Sequence, residues 1–316
     1  ALFCPGSGWS TAGERPGGRL GRLHGVVPSP DAEHVLSPRL QAVASLVPRD
    51  CRAIADIGAD HALLCMDLVA SKRPGLRAVA IDRNRAPLEA GRKAALQHLA
   101  PGMVKQLDFR LGDGLSPLSE GEVDTVCVAG MGVSSILRVL GAGGEPGRLG
   151  TLGVDTLVLQ PVSPRPAALH GLRKWLDSQG YTIDAEVISR VKGLFYITTR
   201  ARRSAEKSFI APGEGDFFLP QLIRRRALAG AGSEGDDEAE NYLRYVSHHL
   251  RWEKGNACRK RGASCPANKR DNTGQADFLV QLLEEEVIAL RAGGVTGGEA
   301  GGDEDEDEED LVSSLP

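Results

Sequence analysis

The chain lacks any apolar run long enough to cross a membrane: charged residues interrupt each hydrophobic stretch well short of the roughly 18 residues a transmembrane helix needs. Aromatic residues are scarce at 4%, yet 41% hydrophobic content leaves enough material for a core. The six cysteines (Cys4, Cys51, Cys65, Cys127, Cys258 and Cys265) are scattered, with none of the paired spacing that marks a zinc site or a disulfide framework. Cys51, Cys65 and Cys127 fall in or beside apolar stretches and read as core residues. Cys258 and Cys265 share a basic loop with no histidine nearby. These features predict a reduced compartment, cytoplasmic or organellar, no secretion and no structural metal. No internal repeat is present.

The formal charge of −4 hides an uneven distribution. Residues 303–310, DEDEDEED, carry eight acids; without them 34 acids face 38 bases, a net of +4. The body is mildly basic and the tail acidic, and residues 293–316 read as disordered. Residues 1–34 are rich in glycine, proline and serine, begin without methionine and show no apolar rhythm. They read as disordered, or as the remnant of an organelle-targeting segment in a fragment or processed product.

Between these ends, the stretch 55–64, ADIGADHALL, organises the rest. Residues 52–55 before it read as a short buried strand and 62–69 after it as the first turns of a helix, with Asp56, Gly58, Asp60 and His61 in a tight turn between them. A glycine turn that opens a helix presents backbone N–H groups to a ligand in many α/β proteins, although the same shape also serves as an ordinary strand-to-helix turn. The dinucleotide fingerprint G-x-G-x-x-G is missing, because Asp60 stands where its second glycine belongs. Two nearby carboxylates would repel a phosphate and suit a ligand with hydroxyls and a positive charge. S-adenosylmethionine, with its sulfonium, ammonium and ribose diol, is such a ligand.

The surrounding pattern alternates strands and helices. Ser37 is predicted to cap a helix with Pro38 at its first position, ending by Pro48. Strands follow at 77–82, 106–111, 123–129 and 154–160, with helices at 86–99 and 166–178, and strands 181–189 and 193–199 lie close enough to pair as an antiparallel hairpin. Such alternation predicts a parallel sheet with right-handed crossovers, a Rossmann-like α/β fold of the class I methyltransferase type. Asp56, Asp82, Asp113, Gly130 and Gln160 all fall at carboxyl ends of strands, where ligands bind in open parallel sheets. Asp82, 24 residues after Gly58, is placed to accept both hydroxyls of a ribose. Asp113, in LGDGL, is placed for an adenine amino group, or else is a plain β-turn aspartate. Asp56 or Asp60 suits an ammonium. Beyond residue 200 the pattern changes: helices at about 238–254 and 275–292, separated by a basic loop at 255–274, read as a helical hairpin. Tyr242, Tyr245 and Trp252 read as helix-packing residues rather than base-stacking ones.

The series LSPRL (36–40), ADIGADHALL (55–64), LGDGL (111–115), AGMG (129–132) and LQP (159–161) resembles the TrmK family of S-adenosylmethionine-dependent tRNA (adenine-22-N1)-methyltransferases. The resemblance covers about 35–200 and, more loosely, 214–292, where that family carries a helical coiled-coil domain. It implies a methyltransferase domain at 35–204, a helical domain at 214–292, and tRNA as partner. It implies that the cofactor is lined by Asp56, Gly58, Asp60, His61, Asp82 and Arg83, and by Asp113, Gly114, Ala129, Gly130 and Met131. Asp60, His61 and Gln160 would orient the base edge, and Arg39 would meet RNA or close the site. The basic runs Arg224, Arg225, Arg226 and Arg259, Lys260, Arg261 would hold phosphates, or are solvated helix ends. The sequence departs from the family at Leu63 for its tyrosine, Val133 for its second glycine and Val162 for the asparagine after LQP. The last departure keeps two alternatives in play: a class I methyltransferase with another RNA or small-molecule substrate, and a non-catalytic protein that binds cofactor and RNA.

Overall fold

A computed structural model describes residues 36–71, 75–141, 148–162, 164–203, 217–229, 237–262 and 271–295, the side chains of 257–276 excepted. The predicted leader at 1–34 and the acidic run at 303–310 lie outside the described residues. Seven strands form one sheet: β1 (Ala53–Ile57), β2 (Arg77–Asp82), β3 (Leu107–Leu111), β4 (Thr125–Met131), β5 (Thr156–Pro161), β6 (Tyr181–Val191) and β7 (Leu194–Arg203). Their order is β3-β2-β1-β4-β5-β7-β6. The first five are parallel, and β7 pairs antiparallel with both β5 and β6.

Side chains alternate between the faces of a strand, and here the two faces meet different helices. Ile54, Ala78, Ala80, Cys127 and Val158 pack with residues of α1 (Pro38–Leu46), α2 (Leu63–Ala70) and α3 (Arg85–His98). Ala55, Ile57, Val79, Ile81, Val126, Val128, Leu157 and Leu159 pack with residues of α5 (Val133–Val139), α6 (Arg148–Thr151) and α7 (Pro166–Ser178). The short α4 (Pro101–Val104) precedes β3. Two-residue periodicity therefore carries Asp56, Asp82 and Gln160 onto the α1 side, two residues beyond Ile54, Ala80 and Val158. Cys51, Cys65 and Cys127 are buried in that same core, as their apolar neighbours predict.

The helical half comprises α8 (Gln221–Ala229), α9 (Asp237–Gly262) and α10 (Asp271–Ala292). Their apolar side chains share a core with Leu169 of α7, Ile188 of β6 and Ile197 of β7. The predicted loop at 255–274 is corrected here: α9 continues through Gly255 to Gly262 and α10 begins at Asp271. A glycine inside a helix costs only about 1 kcal/mol against alanine, which a helix anchored along its length absorbs. α8 has no counterpart among the predicted helices, where Arg224, Arg225 and Arg226 stand open between a phosphate-holding run and a solvated helix end. Among the described residues, no helix is long and apolar enough to cross a membrane.

Candidate cofactor and substrate site

The turn after β1 differs from its sequence-based reading in one respect that changes its chemistry. Asp56 lies inside the strand, and the N–H groups of the turn are taken. Gly58 and Ala59 donate to the carbonyl of Ile81 at 2.8 and 3.0 Å. Asp60 donates its N–H to Asp82 Oδ2 at 3.1 Å, while Asn84 donates to Asp82 Oδ1 at 2.8 Å. The turn is thus stitched to the end of β2 and does not present a row of free amides to an anion. Gly58 sits at φ +77°, a backbone conformation that disfavours a side chain, and a Cβ there would run into Met131 Cε. Gly91 of α3 backs the turn closely: a Cβ on it would lie 2.6 Å from the carbonyl oxygen of His61.

Asp82 is 8% exposed, and each of its oxygens accepts one backbone N–H. A carboxylate oxygen has two lone pairs, so each keeps an acceptor site. Leu111, paired in register with Asp82, is a half-exposed apolar side chain at the end of β3. Asp113 follows it and is exposed, with Arg138 Nη1 3.1 Å from its carboxylate. Gly114 lies against the backbone of Val139, and Arg83 is exposed beyond Asp82. Asp60 and His61 stand at the mouth, both more than half exposed, with His61 Nε2 3.8 Å from Asp60 Oδ1.

Deeper in the crevice lies a group that the sequence scattered among different roles. Gln160 is fully buried. Its Nε2 donates to the backbone carbonyl of Arg39 at 2.9 Å and to Thr198 Oγ1 at 2.6 Å, and its Oε1 accepts from Arg39 Nη1 at 3.1 Å. With both ends of the amide engaged, Gln160 serves to hold Arg39, a different task from the base-edge contact expected of it. The Arg39 guanidinium lies 5.8 Å from the centre of the Tyr196 ring. It also fills the space beside Gly130, where φ is +77° and a Cβ would sit 3.2 Å from Arg39 Nη1. A bulge at Ala129 and Met131 in the β4–β5 pairing brings Gly130 to this position. Asp56 is 6% exposed. Burial pushes its carboxyl up to about 7, with Arg39 working against the shift and Asp82 adding to it.

The loop after β5 is fixed by the helical half. Val162 donates its N–H to the carbonyl of Met131 at 3.0 Å, and Tyr245 donates its hydroxyl to the carbonyl of Pro164 at 2.7 Å. Arg165 stacks over Trp252 at 4.6 Å. Tyr242 and Tyr245 are fully buried. The two basic runs fare differently. Arg224 pairs with Glu286 at 2.6 Å, and Arg226 pairs with Glu238 at 2.7 Å while donating to the carbonyl of Glu186 at 2.6 Å. These two join helices and hairpin, which corrects their reading as a free basic patch; Arg225 and Arg226 are exposed and Arg224 is partly so. Arg259, Lys260 and Arg261 fall within α9, with side chains outside the described residues.

Sequence reasoning missed Tyr196, Thr198, Leu111, Arg138 and Gly91. Only the alternation of Tyr196 and Thr198 along one strand offered a signal; the others are defined by contacts distant in sequence. Among the described residues no cluster of three or more His, Cys, Asp or Glu is placed to hold a metal. The crevice offers carboxylates at the ends of β1 and β2, an apolar wall at Leu111, and a backbone stripped of Cβ at Gly58 and Gly130. Those residues fit a nucleoside bearing positive charge and give no cradle for a pyrophosphate.

Comparison with known proteins agrees with this chemistry. The Methyltransferase domain family matches residues 36–198. The chain is similar to the tRNA (adenine(22)-N(1))-methyltransferase of Bacillus subtilis (strain 168), with 35% identity over 195 residues, 60% of this chain and 76% of that protein. Its fold resembles the crystal structure of the B. subtilis m1A22 tRNA methyltransferase TrmK, with a TM-score of 0.63, 24% identity, and coverage of 81% of this chain and 100% of that one. It also resembles M. capricolum TrmK in complex with S-adenosylhomocysteine, with a TM-score of 0.60, 21% identity, and coverage of 81% and 99%.

Proposed function

Because the chain belongs to the TrmK family of tRNA (adenine(22)-N(1))-methyltransferases, we propose that it methylates N1 of an adenine in tRNA, position 22 by kinship, using S-adenosylmethionine. The observation that carries the cofactor reading is Asp82: a nearly buried carboxylate at the end of β2, oriented by two backbone N–H groups and retaining acceptor sites for a ribose diol. On this reading Asp113, Gly114 and Leu111 border the adenine, with Arg83 beyond the ribose. Ala129, Gly130 and Met131 line the opposite wall. The methyltransferase domain spans 35–204 and the helical domain 214–292, and the protein acts in the cytoplasm or an organelle.

When bound, the cofactor supplies an electrophilic methyl on a sulfonium sulfur, which departs as a neutral thioether as adenine N1 forms the new C–N bond. N1 carries its own lone pair, so the protein needs no strong base, and alignment supplies most of the rate. The target adenine must leave its stack to reach the crevice. Asp60 and His61, at the mouth, meet the base there. The methylated adenine is a cation, and the exposed carboxylate of Asp60 favours the charge as it develops. Phosphate contacts fall to Arg225 and to the run Arg259, Lys260 and Arg261 near the end of α9.

The test is methyl transfer from labelled S-adenosylmethionine to unmodified tRNA transcripts carrying adenine or guanine at position 22, with the product nucleoside identified by mass spectrometry. Label recovered as 1-methyladenosine only from the first transcript is the expected result. Absence of label from both, with cofactor binding intact, would overturn the substrate assignment.

A further inference from the structure

The tip of the β6–β7 hairpin is built with a residue that its geometry disfavours. Val191 pairs with Leu194, which leaves a two-residue turn, and both of its residues have positive φ, +50° at Lys192 and +82° at Gly193. This is the type I′ turn, whose first position selects asparagine, aspartate or glycine, since other side chains crowd the backbone there. Among the described residues Asp60, Ala62 and Lys192 are the non-glycine residues at positive φ. The first two belong to the turn at the crevice, and the third stands at this tip. Lys192 is exposed and has no carboxylate within 4.0 Å among the described residues.

The register of the sheet places this tip. β5 and β7 pair antiparallel with Leu159 opposite Thr199, and Gln160 donates to Thr198 at 2.6 Å. One step further, Pro161 at the end of β5 comes opposite Ile197. β7 therefore begins about three residues beyond the carboxyl end of β5, roughly 10 Å at 3.3 Å per residue, and the turn stands farther out. Ligands bind beyond the carboxyl ends of parallel strands, so the tip rises on the crevice side of the sheet. With β4 and β5 between β1 and β7, it lies about 14 Å across the sheet from the turn after β1 at the usual strand spacing. That is too far for the reacting base and near enough for nucleotides that flank it. The tip is also braced: Phe195 meets Tyr245 of α9 edge-on with ring centres 5.8 Å apart, and Arg190 lies over Phe195 at 5.7 Å.

We propose that the β6–β7 tip is an RNA contact of the sheet domain, with Lys192 meeting the phosphate of a nucleotide that flanks the methylated adenine. This rests on the tRNA reading above and adds a contact apart from those given to α8 and α9. A braced projection supplies the position, and an ammonium on a flexible stem supplies a point charge that a backbone phosphate can meet without a fixed angle. The backbone cost of a lysine at φ +50° is then borne for its charge, as strain at binding sites commonly is. Because the contact is to a flanking nucleotide, it acts on the binding of tRNA and not on methyl transfer once tRNA is bound.

The experiment compares Lys192→Asn and Lys192→Arg with wild type, each as the full chain. Asparagine suits the first position of a type I′ turn and removes the charge. Its melting temperature is therefore expected to rise by about 1–3 °C, while tRNA affinity in a filter assay falls about three- to ten-fold near 0.1 M salt and the salt slope drops by about 1. The KM for tRNA should rise by a similar factor with little change in kcat. Lys192→Arg keeps the charge on the same backbone and is expected to bind tRNA within about two-fold of wild type. Unchanged tRNA affinity in Lys192→Asn would overturn the proposal in favour of a lysine that only guards the edge strand β6 against pairing with another chain. Equal loss of affinity in both variants would overturn it in favour of a structural role for the turn. A wild-type chain that binds S-adenosylhomocysteine but neither binds nor methylates tRNA would refute the tRNA reading itself, and this proposal with it.

Discussion

Asp56 makes stability depend on pH in an unusual direction. Most carboxylates in folded proteins are stabilised as anions and support the fold at neutral pH, whereas Asp56 is held up at about 7 against an ordinary value of 3.8. The folded chain therefore binds this proton more tightly than the unfolded chain. By linkage, the contribution of Asp56 to stability falls as pH rises from about 4 through 7 and is flat above that. The difference corresponds to roughly 4 kcal/mol between the two plateaus. Burial sets most of the shift; Arg39 from α1 opposes it and Asp82 from β2 adds to it, while the Asp56 charge adds to the burial that already holds the Cys65 thiol of α2 high. A second group runs the other way. His249, buried against Tyr245 and His248, is pushed down to about 3, chiefly by burial, so its contribution is lost as pH falls below the ordinary histidine value. The two partly cancel in the wild-type curve, and the comparison with Asp56→Asn isolates the aspartate. Urea unfolding without cofactor is expected to find Asp56→Asn more stable than wild type at pH 8, by a few kcal/mol, and the gap closed near pH 4. The same group predicts that an ammonium-bearing ligand expels a proton at pH 6. S-adenosylhomocysteine binding enthalpies should then vary with the ionisation enthalpy of the buffer in wild type and not in Asp56→Asn. Equal stability of the two proteins at pH 8 would refute the argument, because it would mean that the carboxylate carries no burial penalty.

Gly91→Ala gains up to about 1 kcal/mol of helix propensity, yet its Cβ would press on the backbone of His61; calorimetry should find weaker S-adenosylhomocysteine binding with helix content unchanged. Glu286→Gln removes the charge that holds Arg224 and Tyr242 in the helical half. Since Arg224 is partly exposed, a loss of about 2 kcal/mol in chemical denaturation is expected, below the usual cost of breaking a fully buried pair. Arg225→Glu should weaken tRNA binding in a filter assay and lower its salt slope by about 1, without altering thermal stability. Indifference of tRNA affinity to this change would remove α8 from the RNA surface.

The parallel sheet and its hairpin were legible because their signals are local: apolar runs bounded by glycine and acid, at spacings that only strand–helix alternation accommodates. Asp82 was legible for the same reason, as an acid at the end of a strand a fixed distance beyond a glycine turn. What the sequence could not disclose is pairing at a distance. Arg39 and Gln160 are 121 residues apart and bond at both ends of the amide, so neither could be assigned to the other from its neighbours. The arginines of α8 misled in the same way: three consecutive cations look like a surface, until Glu286 and Glu238 arrive from other helices to claim two of them. The turn after β1 was found but misread, because a glycine turn shows that amides converge without showing that β2 already takes them.

The departure at Val162 can now be separated from the path of the loop that carries it. Val162 is held through its own N–H by Met131, and two residues later Pro164 is held through its carbonyl by Tyr245. Both restraints are made by the backbone of the loop, and Arg165 adds a third through its stack on Trp252. None depends on the side chain at 162, which is partly exposed. Replacing the family's asparagine by valine therefore removes an amide from the edge of the crevice while leaving the loop where β5 and α9 put it. On the proposed reading, the chemistry left at the mouth falls to Asp60 and His61, set on a turn that Asp82, Ile81 and Gly91 hold from behind. On this geometry the helical half does more than extend the surface: α9 holds the loop after β5 through Pro164, so on the proposed reading damage to α9 would reach the reaction even where no RNA contact is lost.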